Sequence, residues 1–290
     1  MPGAHRARKS PRKSTRKKAG RKASEGAHKL RGARTGAAAP KKTKKRALRR
    51  TAAAAKKPAA APKKSAAKRR PRRAKFTPPD PQRVAHVLAI LEGLYPGAMT
   101  ALEFGTPLQL LIATILSAQC TDERVNMVTP VLFARFPDAQ ALAAASQAEI
   151  EEIIRSTGFY RNKATSIRAC CADIVAKHGG EVPRTMEALV ALRGVGRKTA
   201  NVVLGNAFGI PGLVVDTHVT RLSNRLGFTN ETDAVKIEHA LMPIVPQEKW
   251  TVFSHWLILH GRRVCNARKP HCSICQVAPH CPRVGVTAAQ

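Results

Sequence analysis

The amino-acid sequence predicts an all-α protein body that follows a disordered basic tail, and three observations support this. From Phe76 onward, apolar residues recur at helical spacing between residues that begin and end helices. The one strand-like segment, residues 213–215, is too short to pair into a sheet. Residues 1–75 contain almost no large apolar side chains, so they cannot form a hydrophobic core.

Residues 1–75 are the basic tail. They contain 30 of the 51 Lys and Arg and one acidic residue, Glu25, which gives them a net charge of +29 out of +33. The rest of the chain is only +4. Such a polycation neutralises phosphates and releases counterions, so we predict salt-sensitive binding of nucleic acid without sequence preference. A solubilising tail and an organelle transit peptide are the alternatives.

The body contains recognisable helix starts. Asp80, Thr106 and Thr121 are candidate N-caps, and Ser146 with Glu149 has the spacing of a capping box. No internal repeat is visible. Helices are predicted at about 81–95, 108–117, 122–133, 147–157, 162–178, 186–192, 198–208, 217–226, 234–244 and 250–261.

The chain shows no apolar run of membrane-spanning length and no secretory signal pattern. We therefore expect no membrane partner. Seven cysteines in such a chain point to metal binding or reduced thiols rather than disulfides. Cys120, Cys170 and Cys171 lie in apolar helical surroundings and are predicted to be core residues.

A tight turn is predicted at Gly194-Val195-Gly196, because two glycines around one apolar residue adopt conformations that side chains would strain. The turn leads directly into a helix. Free backbone N–H groups at a helix start, with the positive end of the helix dipole, bind anions. No Gly-Lys-Ser/Thr triphosphate loop is present, so the expected anion is a DNA phosphate. An ordinary turn between two packed helices is the alternative.

Lys198 and Asp216 are the candidate chemical groups. An amine at a helix start is a candidate for nucleophilic attack and Schiff-base formation. Asp216, in a Val-Asp-Thr-His segment, places a carboxylate that can stabilise positive charge at the start of another helix. Lys198 as a phosphate clamp and Asp216 as a plain N-cap are the alternatives.

Four cysteines lie close together near the C-terminal end of the sequence. Their spacing leaves zinc and an iron–sulfur cluster as alternatives, because four thiolates can hold either but only one Cys-x2-Cys pair is present. Arg and Lys residues surround this loop and can present cations to a phosphate backbone. The four cysteines are Cys265, Cys272, Cys275 and Cys281.

Together, and in this order, the hairpin, Lys198, the Val-Asp-Thr-His segment and the cysteine loop resemble the endonuclease III family of base-excision repair glycosylases. The resemblance runs from about residue 106 to residue 281 and includes the segments 117–119, 255–261 and 267–270. It implies two helical domains with the active site in the cleft between them. The first is a helical domain with a helix-hairpin-helix motif at residues 100–210. The second is an iron–sulfur domain built from residues 76–99 and 211–290.

The resemblance also implies a reaction. The damaged nucleotide is turned out of the duplex, Lys198 attacks C1′ of its sugar as the base leaves, and Asp216 assists the amine or stabilises the cationic sugar. The resulting imine permits β-elimination, which cuts the strand on the 3′ side. Gln119 matches the residue that fills the vacated space, and Phe159 matches an intercalating wedge that is leucine in familiar members. The expected DNA-contacting residues are Gln119, Phe159, Arg193, Gly194, Val195, Gly196 and Arg197.

Further expectations follow from the resemblance. The four cysteines match the ligands of a [4Fe-4S] cluster, whose role is expected to be structural and electrostatic. Arg193 replaces a frequent proline and adds an expected phosphate contact. The expected partner is double-stranded DNA with oxidised pyrimidines, other damaged bases or abasic sites, and the protein is expected to be a monomer. We expect it in the bacterial cytoplasm with the nucleoid, rather than in a nucleus or mitochondrion.

The sequence leaves two alternatives to this function. One is a mismatch-specific adenine or thymine glycosylase of the same superfamily, but those enzymes generally lack a lysine at position 198. The other is a non-enzymatic, nucleoid-type DNA-binding protein. Its tail would suffice for packing DNA, and such a protein needs neither Lys198 nor a cluster.

Overall fold

The computed structural model describes residues 76–290, and the predictions for the tail at 1–75 lie outside the described residues. Within 76–290 the regular structure consists of α-helices and short 3₁₀ turns, without a β-strand, which confirms the all-α fold class. No helix in this range is long and apolar enough to cross a membrane. The helices are α1 (Pro81–Leu94), α2 (Pro107–Leu116), α3 (Asp122–Arg135), α4 (Ala139–Ala144), α5 (Gln147–Ile154), α6 (Tyr160–His178), α7 (Met186–Val190), α8 (Arg197–Ala207), α9 (Thr217–Arg225), α10 (Ala234–Leu241) and α11 (Trp250–Arg263).

Most helices begin with a side chain that accepts a hydrogen bond from an otherwise free N–H of the first turn. Asp80, Thr106 and Thr121 do so for α1, α2 and α3, as the sequence predicted. At α5, Ser146 and Glu149 form the predicted capping box, in which each side chain accepts from the other residue's backbone N–H. The local signals for these helix starts are therefore sufficient to place them.

One helix differs from the sequence-based prediction. Helix α4 was not predicted, because it is short and rich in alanine and its buried face consists of Ala139 and Leu142. It packs against α6, so tertiary contact stabilises a helix that has little periodicity of its own. As predicted, residues 213–215 pair with no strand of the described range 76–290, and the Val214 N–H donates to Ser254 Oγ at 2.9 Å instead.

The buried apolar side chains form two clusters that use different parts of the chain. The first lies between residues 102 and 204. The second combines residues 84–95 of α1 and its C-terminal flank with residues 213–277. Helix α1 therefore packs with the C-terminal part of the chain, and α11 is one of its contacts.

A buried polar network joins helix α8 to the second cluster. Glu238 of α10 is 3% exposed, and it accepts from Arg197 Nε at 2.7 Å and from Arg197 Nη2 at 2.8 Å. Asn201 Nδ2 donates both to Glu238 Oε1 at 3.2 Å and to the Leu213 carbonyl at 3.1 Å. The hydrogen bonds with the Glu238 carboxylate also raise the pKa of Arg197. The network fixes the first turn of α8 against the segment that leads to Asp216.

We expect Arg197→Met to lower the free energy of unfolding by about 3 kcal/mol, because it leaves the buried Glu238 carboxylate without its partner. Urea unfolding of the full chain, followed by tryptophan fluorescence, measures this. Arg135→Met is the matched control, since Arg135 forms a single ion pair with Glu149 in which both side chains are exposed. Its cost should stay below about 1 kcal/mol. Equal costs for the two variants would contradict the structural role of the buried pair.

Candidate active site

The predicted hairpin connects α7 to α8, and the structure explains its glycines. Gly194 has a φ of +81°, and a Cβ atom there would lie 2.9 Å from Ser166 Cβ on α6. Val195 points into the first cluster with 6% exposure. Gly196 is the N-cap of α8 and has no side chain to bind the N–H groups of the first turn. These N–H groups therefore lack the side-chain cap that most other helices have.

Arg193 and Asp173 hold the hairpin on α6. The backbone N and the Nε of Arg193 each donate to Asp173 Oδ2 at 3.1 Å, and Lys177 Nζ lies 3.1 Å from Oδ1. These interactions, with the hydrogen bond from Lys177 first, lower the pKa of Asp173 to about 2. Arg193 remains largely exposed and Arg197 is paired with Glu238, so a DNA contact by either residue stays a prediction.

Lys198 and Asp216 lie on the same pocket, which has about 730 Å³ of empty space. Lys198 is an exposed residue in the first turn of α8. Asp216 is half-buried at the N-cap of α9, where its Oδ1 accepts from Val219 N at 2.8 Å. Asp216 is thus an N-cap and also a pocket residue. A capping role and a chemical role, the two alternatives from the sequence, are therefore compatible. Lys198 and Asp216, 18 positions apart, line one pocket because the buried network holds α8 beside residues 213–216.

The pocket also contains polar residues to which the sequence-based analysis assigned no role there. Asp122 of α3 forms an ion pair with Arg262 of α11, with 3.2 Å between Oδ2 and Nη2. His255 is buried and hydrogen-bonded to Asn206, with 2.9 Å between its Nε2 and the amide oxygen. Burial lowers the pKa of His255, which keeps the ring neutral. No motif spacing links these residues, because α3, α8 and α11 come together only on folding.

A second pocket lies beside the first and shares Thr114 with it. Gln119 and Phe159, both exposed, line it together with Gly194. Gln119 has a φ of 53° and Phe159 a φ of 47°, a region that residues with a side chain seldom occupy. Such strained residues commonly mark binding sites. The structure therefore brings the predicted gap-filling residue, the predicted wedge and the hairpin to one surface.

The four C-terminal cysteines line one apolar cavity next to α11. Arg225 Nη1 donates to Cys265 Sγ at 3.2 Å, and His260 Nε2 lies 3.4 Å from Cys275 Sγ. Burial raises the pKa of Cys275 and Cys281. Within the described residues, no three His, Cys, Asp or Glu side chains are placed to hold one metal ion. The cavity nevertheless brings four thiol sulfurs together, with an arginine that donates to one of them.

The other cysteines are separate from this cavity. Cys170 and Cys171 are buried in the first cluster, and Cys120 is half-buried against it. Burial raises the pKa of Cys170 to about 12 and raises that of Cys171 as well. Thiols held in the neutral form are unreactive, which agrees with a packing role.

Residues 112–247 match the family described as HhH-GPD superfamily base excision DNA repair protein. Endonuclease III of Synechocystis sp. is 60% identical over 202 residues, which cover 69% of this chain and 92% of that protein. Endonuclease III of Escherichia coli (strain K12) is 43% identical over 198 residues, which cover 67% of this chain and 92% of that protein.

Solved structures show the same similarity. A trapped covalent intermediate of endonuclease III with DNA has a TM-score of 0.67 and 43% identity, covering 70% of this chain and 96% of that one. A thermostable thymine-DNA glycosylase has a TM-score of 0.63 at 24% identity, covering 70% of this chain and 96% of that one, and this likeness concerns the fold alone. By its sequence identity and the extent of the match, the chain belongs to the endonuclease III family of the HhH-GPD superfamily, the DNA glycosylases and abasic-site lyases of base-excision repair.

Proposed function

We propose that this chain removes oxidised pyrimidines from duplex DNA and then nicks the abasic site, with Lys198 as the nucleophile and Asp216 as its partner carboxylate. The observation that carries the proposal is that these two side chains line one open pocket next to the hairpin. Lys198 forms no ion pair within residues 76–290, so its amine is available to a substrate. Asp216 is oriented by its hydrogen bond to Val219 N.

The proposed reaction forms one covalent intermediate. Lys198 Nζ, in its neutral form, forms a bond to C1′ as the bond between C1′ and the base breaks and the base departs. The sugar ring opens to give an imine between Lys198 and C1′. Loss of a proton from C2′ then expels the 3′ phosphate by β-elimination. Asp216 assists the amine or stabilises the positive charge that develops on the sugar.

Two adjoining pockets divide the work on DNA in this proposal. The pocket with Lys198 receives the nucleotide that is turned out of the helix. Gln119 and Phe159, at the neighbouring pocket, enter the space that the nucleotide leaves. Hairpin N–H groups at the start of α8 bind a backbone phosphate. Thr114 borders both pockets, and this adjacency supports the division.

We also infer that the two apolar clusters are the cores of the two domains predicted at 100–210 and at 76–99 with 211–290. The substrate pocket supports this inference, because its lining comes from both parts of the chain. Leu102 and Val202 belong to the first range, and Asp216 and Ile258 to the second. The active site would then lie in the cleft between the domains.

The C-terminal cysteines are proposed to hold a [4Fe-4S] cluster. Their fit to this group rests on four thiols around one apolar cavity, with the Arg225 guanidinium donating to one of them. When bound, the cluster supplies a rigid cross-link between thiolates of one loop and a local centre of charge. Arg268 and Lys269 lie on the same loop, and we propose that they contact a phosphate backbone.

The tail is proposed to add non-specific affinity for nucleic acid. A match of 202 residues already covers 92% of the Synechocystis protein, so that relative has no room for a similar 75-residue segment. Because the body has a net charge of only +4, most of the attraction to DNA would come from the tail. A monomer, duplex DNA with damaged bases as its partner, and a bacterial cytoplasmic location near the nucleoid remain part of this proposal.

We expect wild-type protein to form a covalent adduct with duplex DNA containing thymine glycol when borohydride reduces the imine. Lys198→Ala should abolish the adduct, because no amine is left to attack C1′. Lys236→Ala is the matched control: Lys236 is also an exposed lysine, but it lies on α10, so trapping should be unchanged. The yield of adduct is measured on denaturing gels with labelled DNA. Trapping that persists in Lys198→Ala would contradict the assignment of Lys198 as the nucleophile.

Thermal unfolding and the rate of base removal together separate the two roles of Asp216, helix cap and partner carboxylate. Asparagine also caps helices, so Asp216→Asn should preserve thermal stability within about 0.5 kcal/mol. Loss of the negative charge should still slow base removal by about a hundredfold. Wild-type rates in this variant would leave Asp216 as a helix cap only.

The purified protein should be yellow-brown and contain iron and sulfide in equal amounts. Cys272→Ser should reduce both and bleach the visible absorbance, because one of the four ligands is lost. Cys170→Ala, a change in the first cluster, should leave iron content unchanged. A colourless protein with stoichiometric zinc would contradict the cluster.

Deletion of residues 1–75 should weaken binding to undamaged DNA and flatten the plot of log K against log salt. Each phosphate contact contributes about −0.9 to that slope, and the tail contains most of the cations. Replacing the Lys and Arg of the tail with Gln tests charge at constant length and should have the same effect. Imine trapping at saturating protein should persist in both variants. A slope equal to that of the full chain would refute the tail's role.

A further inference from the structure

The turn that carries Phe159 has a costly conformation. A 3₁₀ turn (Arg155–Thr157) leads into Gly158 with a φ of +69°, and Phe159 follows with a φ of +47° and 65% exposure. An aromatic residue in the left-handed region is unfavourable unless its surroundings fix it. Exposure of the ring means that packing of the ring itself cannot provide this restraint. The restraint must come from the backbone before and after it.

Lys163 of α6 supplies a contact from below the turn. Its Nζ donates to the Thr157 carbonyl at 2.7 Å although the residue is only 5% exposed. Thr157 is 2% exposed, and its hydroxyl donates to the Ile154 carbonyl at 2.8 Å. The carbonyl that precedes Gly158 is thereby fixed on one side by a buried cation. On the other side, Phe159 O accepts the backbone N–H of Lys163 at 3.1 Å.

A lysine is a costly residue for this position. Burial disfavours its charged form and lowers the pKa of Lys163, while a methionine of similar length would be buried without that cost. The hydrogen bond from the Lys163 ammonium to Thr157 O offsets this cost. It also links α6 to the turn that carries Phe159. The same side chain lines the second pocket with Gln119 and Phe159. It lies under the surface that faces DNA in the proposed function.

We propose that Lys163 is a positioning residue that holds the Thr157 carbonyl and so keeps the Phe159 side chain directed outward to enter duplex DNA. This inference rests on the proposed role of Phe159 as the wedge. Lys163 does not touch the reacting sugar, and Lys198 lies on another helix. Its removal should therefore affect the opening of the duplex rather than the attack on C1′.

The test compares one lesion in two settings, using the full chain. The first substrate is a fully paired duplex with thymine glycol, and the second has the same lesion inside an unpaired bubble, where no wedge is needed. Lys163→Met should slow single-turnover adduct formation on the duplex by about tenfold or more, the scale of a lost hydrogen bond to a charged group. On the bubble its rate should stay within about twofold of wild type. Lys163→Arg, which keeps a cationic donor, should recover part of the duplex rate.

Phe159→Ala is the companion variant and should show the same loss on the duplex only. The double variant should be no slower than the slower single variant, because both changes remove one function. Lys236→Met, the same change at an exposed lysine of α10 outside both pockets, is the matched control and should leave both rates unchanged.

Each other result has a distinct meaning. If Lys163→Met slows both substrates equally, Lys163 supports the fold as a whole and the inference is wrong. If Phe159→Ala loses activity on the duplex and Lys163→Met does not, the wedge is retained and the inference is again wrong. If Phe159→Ala has no effect confined to the duplex, the wedge assignment fails first, and the inference fails with it. The bubble rate also shows directly whether each variant is folded.

Discussion

The placement of helix α8 by one buried carboxylate is the constraint on which the candidate site depends. Glu238 accepts both arms of the Arg197 guanidinium, and Asn201 links the same carboxylate to the Leu213 carbonyl. Lys198 directly follows Arg197, and Asp216 lies three residues after Leu213. Lys198 and Asp216 therefore line one pocket, because the backbone segments that carry them are held together within three residues of each. A buried carboxylate with three hydrogen bonds is expensive to place, which makes its arrangement specific.

Two neighbouring arginines of the hairpin show how packing decides the role of a residue type. Arg193 binds Asp173 and remains exposed, so it fixes the turn on α6 and still reaches solvent. Arg197 pairs with the buried Glu238. Its planar guanidinium is therefore occupied by a structural contact. From sequence both appeared equally suited to phosphate. What distinguishes them is a carboxylate 41 positions away, which no local pattern reveals.

Local chemistry explains what the sequence predicted well. Helix starts at Asp80, Thr106, Thr121 and Ser146 follow from side chains that satisfy adjacent N–H groups, so neighbours in sequence contain the necessary information. The same holds for the conformation of Gly194. Asp122, His255 and Arg262 could not be placed in the pocket this way, because their proximity depends on how α3 and α11 pack. Helix α4 was missed for the same reason, since its stability comes from α6.

The division of charge between tail and body has a consequence for specificity. If affinity for DNA came from a basic surface around the pocket, stronger binding of DNA would also strengthen contacts that the enzyme must release after each catalytic cycle. Under the proposed role of residues 1–75, this coupling is avoided, since their non-specific attraction to DNA varies with salt while the pocket geometry does not. In the proposed function, recognition of damage depends instead on Gln119, Phe159 and Lys198, and the first two have strained backbone conformations at one pocket. Affinity and selectivity are thus proposed to reside in different parts of one chain.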